Sequence, residues 1–149
     1  MTTTFRNVDI DEGSEPDDWP FEAVLAVVER GSLADWRRLA SAIRASPWGP
    51  CARAVEDVAG WGENSGLDVV FLALIATARH EADAEAGRAY GERIRRVRQA
   101  LGMSQREFAP LIGTSAQRLS SYETGKVAPS VAVLGRVERV AANTRSGTR

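Results

Sequence analysis

The sequence contains one cysteine, one histidine and one lysine in 149 residues. Cys51, standing alone, excludes an intrachain disulfide and any cluster of thiolate metal ligands. His80 has acidic neighbours, Glu81 and Asp83, but no second imidazole exists to activate a serine or cysteine. A metal site needs several converging ligands, so His80 reads as a surface residue. No G-x-x-x-x-G-K phosphate loop occurs, and no carboxylate pair falls in a recognisable pocket. These absences argue against an enzyme, and no cofactor is expected. The longest unbroken apolar run, Val69 to Ala76, is far too short to span a bilayer. The acidic opening MTTTFRNVDIDEGSEPDD has no hydrophobic signal region, so a cytoplasmic location is expected. Scarce lysine, with arginine in its place and abundant alanine, fits the codon bias of a GC-rich bacterial genome.

The net charge of −1 conceals a division. Residues 1–90 hold 8 arginines against 16 Asp and Glu, a net of −8, whereas residues 91–149 hold 11 Lys and Arg against 4 Glu, a net of +7. Such a split fits a polyanion-binding module joined to a module with another task. The plainer alternative is that the two halves neutralise each other, and motifs must decide.

Hydrophobic periodicity predicts helices throughout, with no β pattern and no internal repeat, so the fold class is all-α. Residues 1–18 are polar, acidic and aperiodic, and a disordered tail is expected. Trp19-Pro20 opens a first helix, with Phe21, Val24, Leu25 and Val28 at helical spacing and Gly31 as its stop. Ser32 with Asp35 resembles a capping box for a second helix, with Leu33, Trp36, Ala40 and Ile43 as its inner stripe. A third runs from about Pro50 to Ala59 and places Cys51, Val55 and Val58 on one face. Gly60 to Gly66 reads as a loop. Leu67 to His80 is apolar nearly all round, as in a helix central to a bundle or buried against a second copy. Trp19, Trp36, Trp48 and Trp61 read as core side chains rather than ligand-stacking ones. Gly87 and Gly91 mark a plausible hinge. The expected organisation is a helical domain of unknown role over 19–86, for dimerisation or partner binding, a second domain over 87–141, and a disordered tail over 142–149.

The second domain is the more readable. Ile94, Val97 and Leu101 form an apolar stripe set among arginines, and Gly102 sits where a helix C-cap takes a left-handed residue. Ser104 to Glu107 is a capping box that starts a short helix ending at Ile112-Gly113. Ser115 caps the next helix, with Leu119 and Tyr122 inward, and Gly125 ends it. Pro129-Ser130 starts a last helix containing Val131, Leu134 and Val137. Two short helices around a glycine turn have helix-turn-helix geometry. Ala109 permits their close approach, Gly113 supplies the positive φ, and Ser115 leaves a capped N-terminal turn suited to a phosphate or base edge.

MSQREFAPLIGTSAQRLSSYETGKVAPS resembles the helix-turn-helix of the Xre/Cro/C1-type, lambda-repressor-like regulators, over roughly residues 91–141. The resemblance rests on the Ser-Gln opening, Phe-Ala, Gly113, Ser115, Leu119, Tyr122 to Gly125 and Pro129. It implies double-stranded DNA as partner, read in the major groove by a homodimer. By position, Gln105 would touch the DNA backbone or a base edge, and Ala116, Gln117 and Ser121 would face the groove. Arg118 would reach a base or phosphate. Gln117 suits bidentate recognition of adenine and Ala116 a thymine methyl, with Thr124 and Lys126 on phosphates. Arg98 and Glu123 fall where the family often has a structural ion pair.

Three departures stand out. Pro110 lies inside the first motif helix, costing up to about 3 kcal/mol unless the helix is kinked or frayed. Gly135 interrupts the last helix, and too little chain follows Val140 for the family's fifth helix. DWRRLASAIRASPWGPCARAVE is similar to a segment of unclassified Xre-type regulators and carries no chemistry of its own. A repressor on a pseudo-palindromic operator is the leading expectation, which would place the protein at the nucleoid. The alternatives are an antitoxin that neutralises a toxin through its N-terminal domain, and a helical interaction module without DNA.

Overall fold

The structure, a computed structural model, describes residues 3–5, 8–11, 13–61 and 66–146. The fold is all-α, preceded by a short antiparallel hairpin, β1 (Thr3–Phe5) with β2 (Val8–Ile10), in which Thr3 pairs with Ile10. Seven helices follow among the described residues: α1 (Phe21–Arg30), α2 (Leu33–Ala45), α3 (Pro50–Trp61), α4 (Leu67–Ala100), α5 (Gln105–Phe108), α6 (Ala116–Glu123) and α7 (Val131–Ser146). The chain divides into two compact units, Met1–Glu81 and Ala82–Arg149. No helix among the described residues is long and apolar enough to cross a membrane.

The first unit is a helical core under α1, α2, α3 and the start of α4. Val24, Val27, Val28, Leu39, Ile43, Val55, Phe71 and Ile75 are buried in it, with Cys51 among them. Burial, and then the charge of Asp17, push the Cys51 thiol up to about 12, so it stays protonated and inert. Ser32 and Asp35 do form the capping box of α2. The expected inner stripe of α2 holds at Ile43, which is buried, and at Trp36 and Ala40, which pack against the core, but Leu33 is 58% exposed and Leu39 is fully buried in addition. The register that buries Asp35 also buries Leu39 and Ile43, and it turns Leu33 to solvent. Trp19 is buried and the indole of Trp36 donates to the Val27 carbonyl at 2.7 Å, but Trp48 and Trp61 lie outside the core. Trp48 instead lies under the Arg79 guanidinium, and Trp61 meets Phe21 edge to face.

Where a disordered acidic tail is expected, residues 13–18 pack on this core. Pro16–Asp18 is a 3-10 turn with Pro16 buried, and the Trp19 indole donates to the Ser14 hydroxyl at 3.0 Å. Asp17 accepts from the Cys51 backbone N–H at 3.0 Å, satisfying one of the orphan donors in the first turn of α3. The acidity of this stretch thus serves a helix end as well as solvent. In the expected loop Gly60–Gly66, Gly60 and Trp61 belong to α3, and residues 62–65 lie outside the described ones.

The second unit packs α4 from residue 82 onward with α5, α6 and α7. Ile94, Val97, Phe108, Ala109, Ile112, Leu119, Tyr122, Val133 and Val137 form its core. Gly87 and Gly91, expected as a hinge, are helical residues of α4. Gly91 is there for space, because a Cβ on it would run into the Tyr122 carbonyl. At its C-terminal end, α7 continues through Ser146 where a disordered tail is expected from 142, and residues 147–149 lie outside the described residues. Among the described residues no fifth helix follows α7.

Candidate nucleic-acid interface

Two capping devices set the first motif helix. The Met103 N–H closes onto the Arg98 carbonyl at 3.2 Å around Gly102, whose φ is +65°. Ser104 then accepts from the Glu107 N–H while Glu107 accepts from the Ser104 N–H at 2.8 Å. Those bonds from Ser104 hold the Glu107 carboxyl below its ordinary range. Pro110 lies outside the α-helix: α5 stops at Phe108 and the chain tightens into a 3-10 turn over Ala109–Ile112. The tighter winding passes the orphan acceptors to the turn, since the Gly113 N–H reaches the Ala109 and Pro110 carbonyls. Gly113 is left-handed (φ +66°, ψ +42°), and the Arg136 guanidinium lies over it, donating to the Ile112 carbonyl at 3.3 Å.

Ser115 is the N-cap of α6, accepting from the Arg118 N–H at 3.1 Å. Leu119, Tyr122 and Glu123 turn inward, Gln117 and Arg118 are exposed, and Ala116 and Ser121 are half-buried. The Arg118 Nε donates to the Tyr122 hydroxyl at 3.1 Å, and its terminal guanidinium nitrogens bond to no described residue. The Ser121 hydroxyl donates back to the Gln117 carbonyl. Past α6, Gly125 (φ +73°) closes a turn in which the Lys126 N–H reaches the Ser121 carbonyl at 3.0 Å. Thr124 and Lys126 are both exposed on this turn.

Four of the expected contact residues, Ser115, Gln117, Arg118 and Ser121, line one open depression of about 400 Å³. Val127 completes it, 40% exposed, and sequence reasoning passed it over. Its signal was a β-branched apolar side chain in the short segment between two helix-ending residues, Gly125 and Pro129. Gln105, Ala116, Thr124 and Lys126 are not among the residues of that depression.

Beneath α6 lies a charged hub. Glu123, with its side chain 1% exposed, accepts from Arg98 Nε at 2.6 Å and Nη2 at 3.0 Å, and from Gln105 Nε2 at 2.9 Å. Arg95 lies 3.9 Å away, and Arg98 also donates to the Met103 carbonyl. Burial opposes ionisation of Glu123, but the hydrogen bonds from Arg98 and Gln105 and the charges of Arg98 and Arg95 outweigh it and hold the carboxyl below its usual range. Gln105 therefore gives an amide N–H to Glu123, while no described residue donates to its carbonyl oxygen. Among the described residues no three His, Cys, Asp or Glu side chains converge as metal ligands.

The comparisons with known proteins meet this geometry over the same stretch. Residues 94–141 match the family model described as helix-turn-helix. These residues are a helix-turn-helix domain. A 50-residue match, 40% identical, relates the chain to an endothelial differentiation-related factor 1 homolog of Xenopus laevis. The match covers 34% of this chain and 34% of that protein, so it speaks for one segment of each. No solved structure matches. Within the helix-turn-helix domain, α5 with its 3-10 extension is the first motif helix and α6 the second, and the Arg98–Glu123 pair ties the second to α4.

Proposed function

We propose that this chain is a sequence-specific DNA-binding transcriptional regulator that reads the major groove with α6. The observation that carries the reading is the outward face of a Ser115-capped helix bearing Gln117 and Arg118, both exposed and in one depression. Such a helix N-terminus favours phosphate through its free N–H groups and positive dipole end. In this reading Gln117 takes adenine in a bidentate pair, Ala116 meets a thymine methyl, and Arg118 takes a guanine edge or phosphate. Ser121 flanks them in the groove, Thr124 and Lys126 hold phosphates, and the Gln105 carbonyl oxygen accepts from a base edge.

One such module offers a small interface, so the protein acts as a homodimer on two half-sites about 34 Å apart, as a repressor in the bacterial nucleoid. The charge division supports it, because the net +7 lies in the half that holds the helix-turn-helix. A second reading, an antitoxin, draws support from the separate core of residues 1–81, which gives the chain a module independent of DNA. Selection from a random duplex pool at rising salt tests the proposal. An enriched inverted repeat whose affinity falls linearly in log[salt] is expected, and a pool that stays random at every salt concentration contradicts it.

A further inference from the structure

Between α2 and α4, inside the first unit, runs an open groove of about 420 Å³. Its lining includes the apolar side chains of Trp36, Val70, Phe71 and Leu74, with Arg37 and Arg44 on α2. Val70 stands 61% exposed, an apolar side chain left to solvent beside other apolar ones. The volume is in the range of clefts that hold ligands, roughly 300–1,000 Å³.

The two arginines decide what fits. They lie seven residues apart on one side of α2, a separation of about 10.5 Å along the axis at ~1.5 Å per residue. Neither forms an ion pair or hydrogen bond with a described residue. Residues 1–81 carry 7 arginines against 14 Asp and Glu, so carboxylates are plentiful in this unit, yet none is spent on these two. A second copy docking groove to groove about a two-fold axis would set Arg37 and Arg44 against the same pair, like charge on like. The occupant must bring apolar side chains and negative charge together.

A groove between two helices offers no sheet edge for an extended strand, and it receives an apolar helical stripe at i, i+4, i+7. We propose that this groove docks an amphipathic helix of another protein, with two carboxylates two turns apart meeting Arg37 and Arg44. The inference concerns residues 1–81 alone and does not rest on DNA binding.

The probe is a synthetic 16-residue helical peptide with leucines along one face and glutamates seven residues apart flanking it, and its twin with lysines for the glutamates. Fluorescence anisotropy against the full chain is expected to show the glutamate peptide binding at least tenfold tighter. Arg37→Glu with Arg44→Glu should reverse that preference. Val70→Asp, at an exposed position that leaves the core intact, should abolish both peptides with an unchanged circular dichroism spectrum. Equal binding of the two peptides, no binding of either, or an unreversed preference overturns the proposal. So does a dimer in sedimentation that Val70→Asp disperses and the glutamate peptide competes away, which assigns the groove to a second copy.

Discussion

Arg98 and Glu123 join α4 to the end of α6 through two hydrogen bonds, at 2.6 and 3.0 Å, with the carboxylate all but sealed from solvent. A buried charge left without its partner is costly, on the order of 3–5 kcal/mol. Because Arg98 is still 15% exposed, the lower end applies. Arg98→Ala or Glu123→Ala is therefore expected to destabilise the helix-turn-helix domain by about 3 kcal/mol in chemical denaturation. The double change Arg98→Met with Glu123→Leu should recover most of that loss. Single variants as stable as the parent would contradict the burial argument.

The same carboxylate sets an acid limit. Its folded pKa lies below the ordinary 4.5, so its contribution is complete above that value and is lost as pH falls through the depressed folded one. Melting temperature is expected to drop steeply below about pH 4.5, and Glu123→Gln should flatten that drop. Thermal melts from pH 3 to 7 measure it, and parallel curves for the two proteins would rule the effect out.

Gly87 and Gly91 lie one turn apart in α4 with opposite surroundings. A Cβ on Gly91 would enter the Tyr122 carbonyl, whereas one on Gly87 meets nothing within 4 Å. Gly87→Ala is expected to stabilise by up to about 1 kcal/mol through helix propensity. Gly91→Ala should cost about 2 kcal/mol or more, since α4 and α6 must part to admit the methyl. Calorimetry of both variants separates the two, and equal shifts would deny the close approach.

Much of the helix-turn-helix was legible because its signals are local. Ser104 with Glu107, Gly113, Ser115 and Gly125 each dictate a backbone conformation within four residues, and the structure has a cap or a left-handed turn at each. The helix bounds of the first unit were legible for the same reason, from Gly31 and Ser32. What escaped was decided by distant partners. The packing of residues 13–18 needs Cys51 and Arg38, and the Ser14 carbonyl accepts from Arg38 at 2.6 Å. Leu39 rather than Leu33 enters the core because α1 and α3 fix the rotation of α2. Val69, Val70 and Leu72 belong to the segment that reads as central to a bundle or buried against a second copy, and within the single chain they are exposed. Composition shows that a helix is greasy, but not how much of its circumference the fold covers. In the site, Gln105 was legible as polar and motif-placed, while its bond to Glu123, eighteen residues away, was not.

The outward reach of α6 is tested most directly by Gln117→Ala with Arg118→Ala, measured against the enriched duplex and a scrambled one. Both side chains are exposed, so the variant should melt like the parent. Each base-edge pair is worth about 1–3 kcal/mol, so preference for the enriched duplex is expected to fall at least tenfold while binding to the scrambled duplex persists. A variant that keeps the full preference would contradict the account.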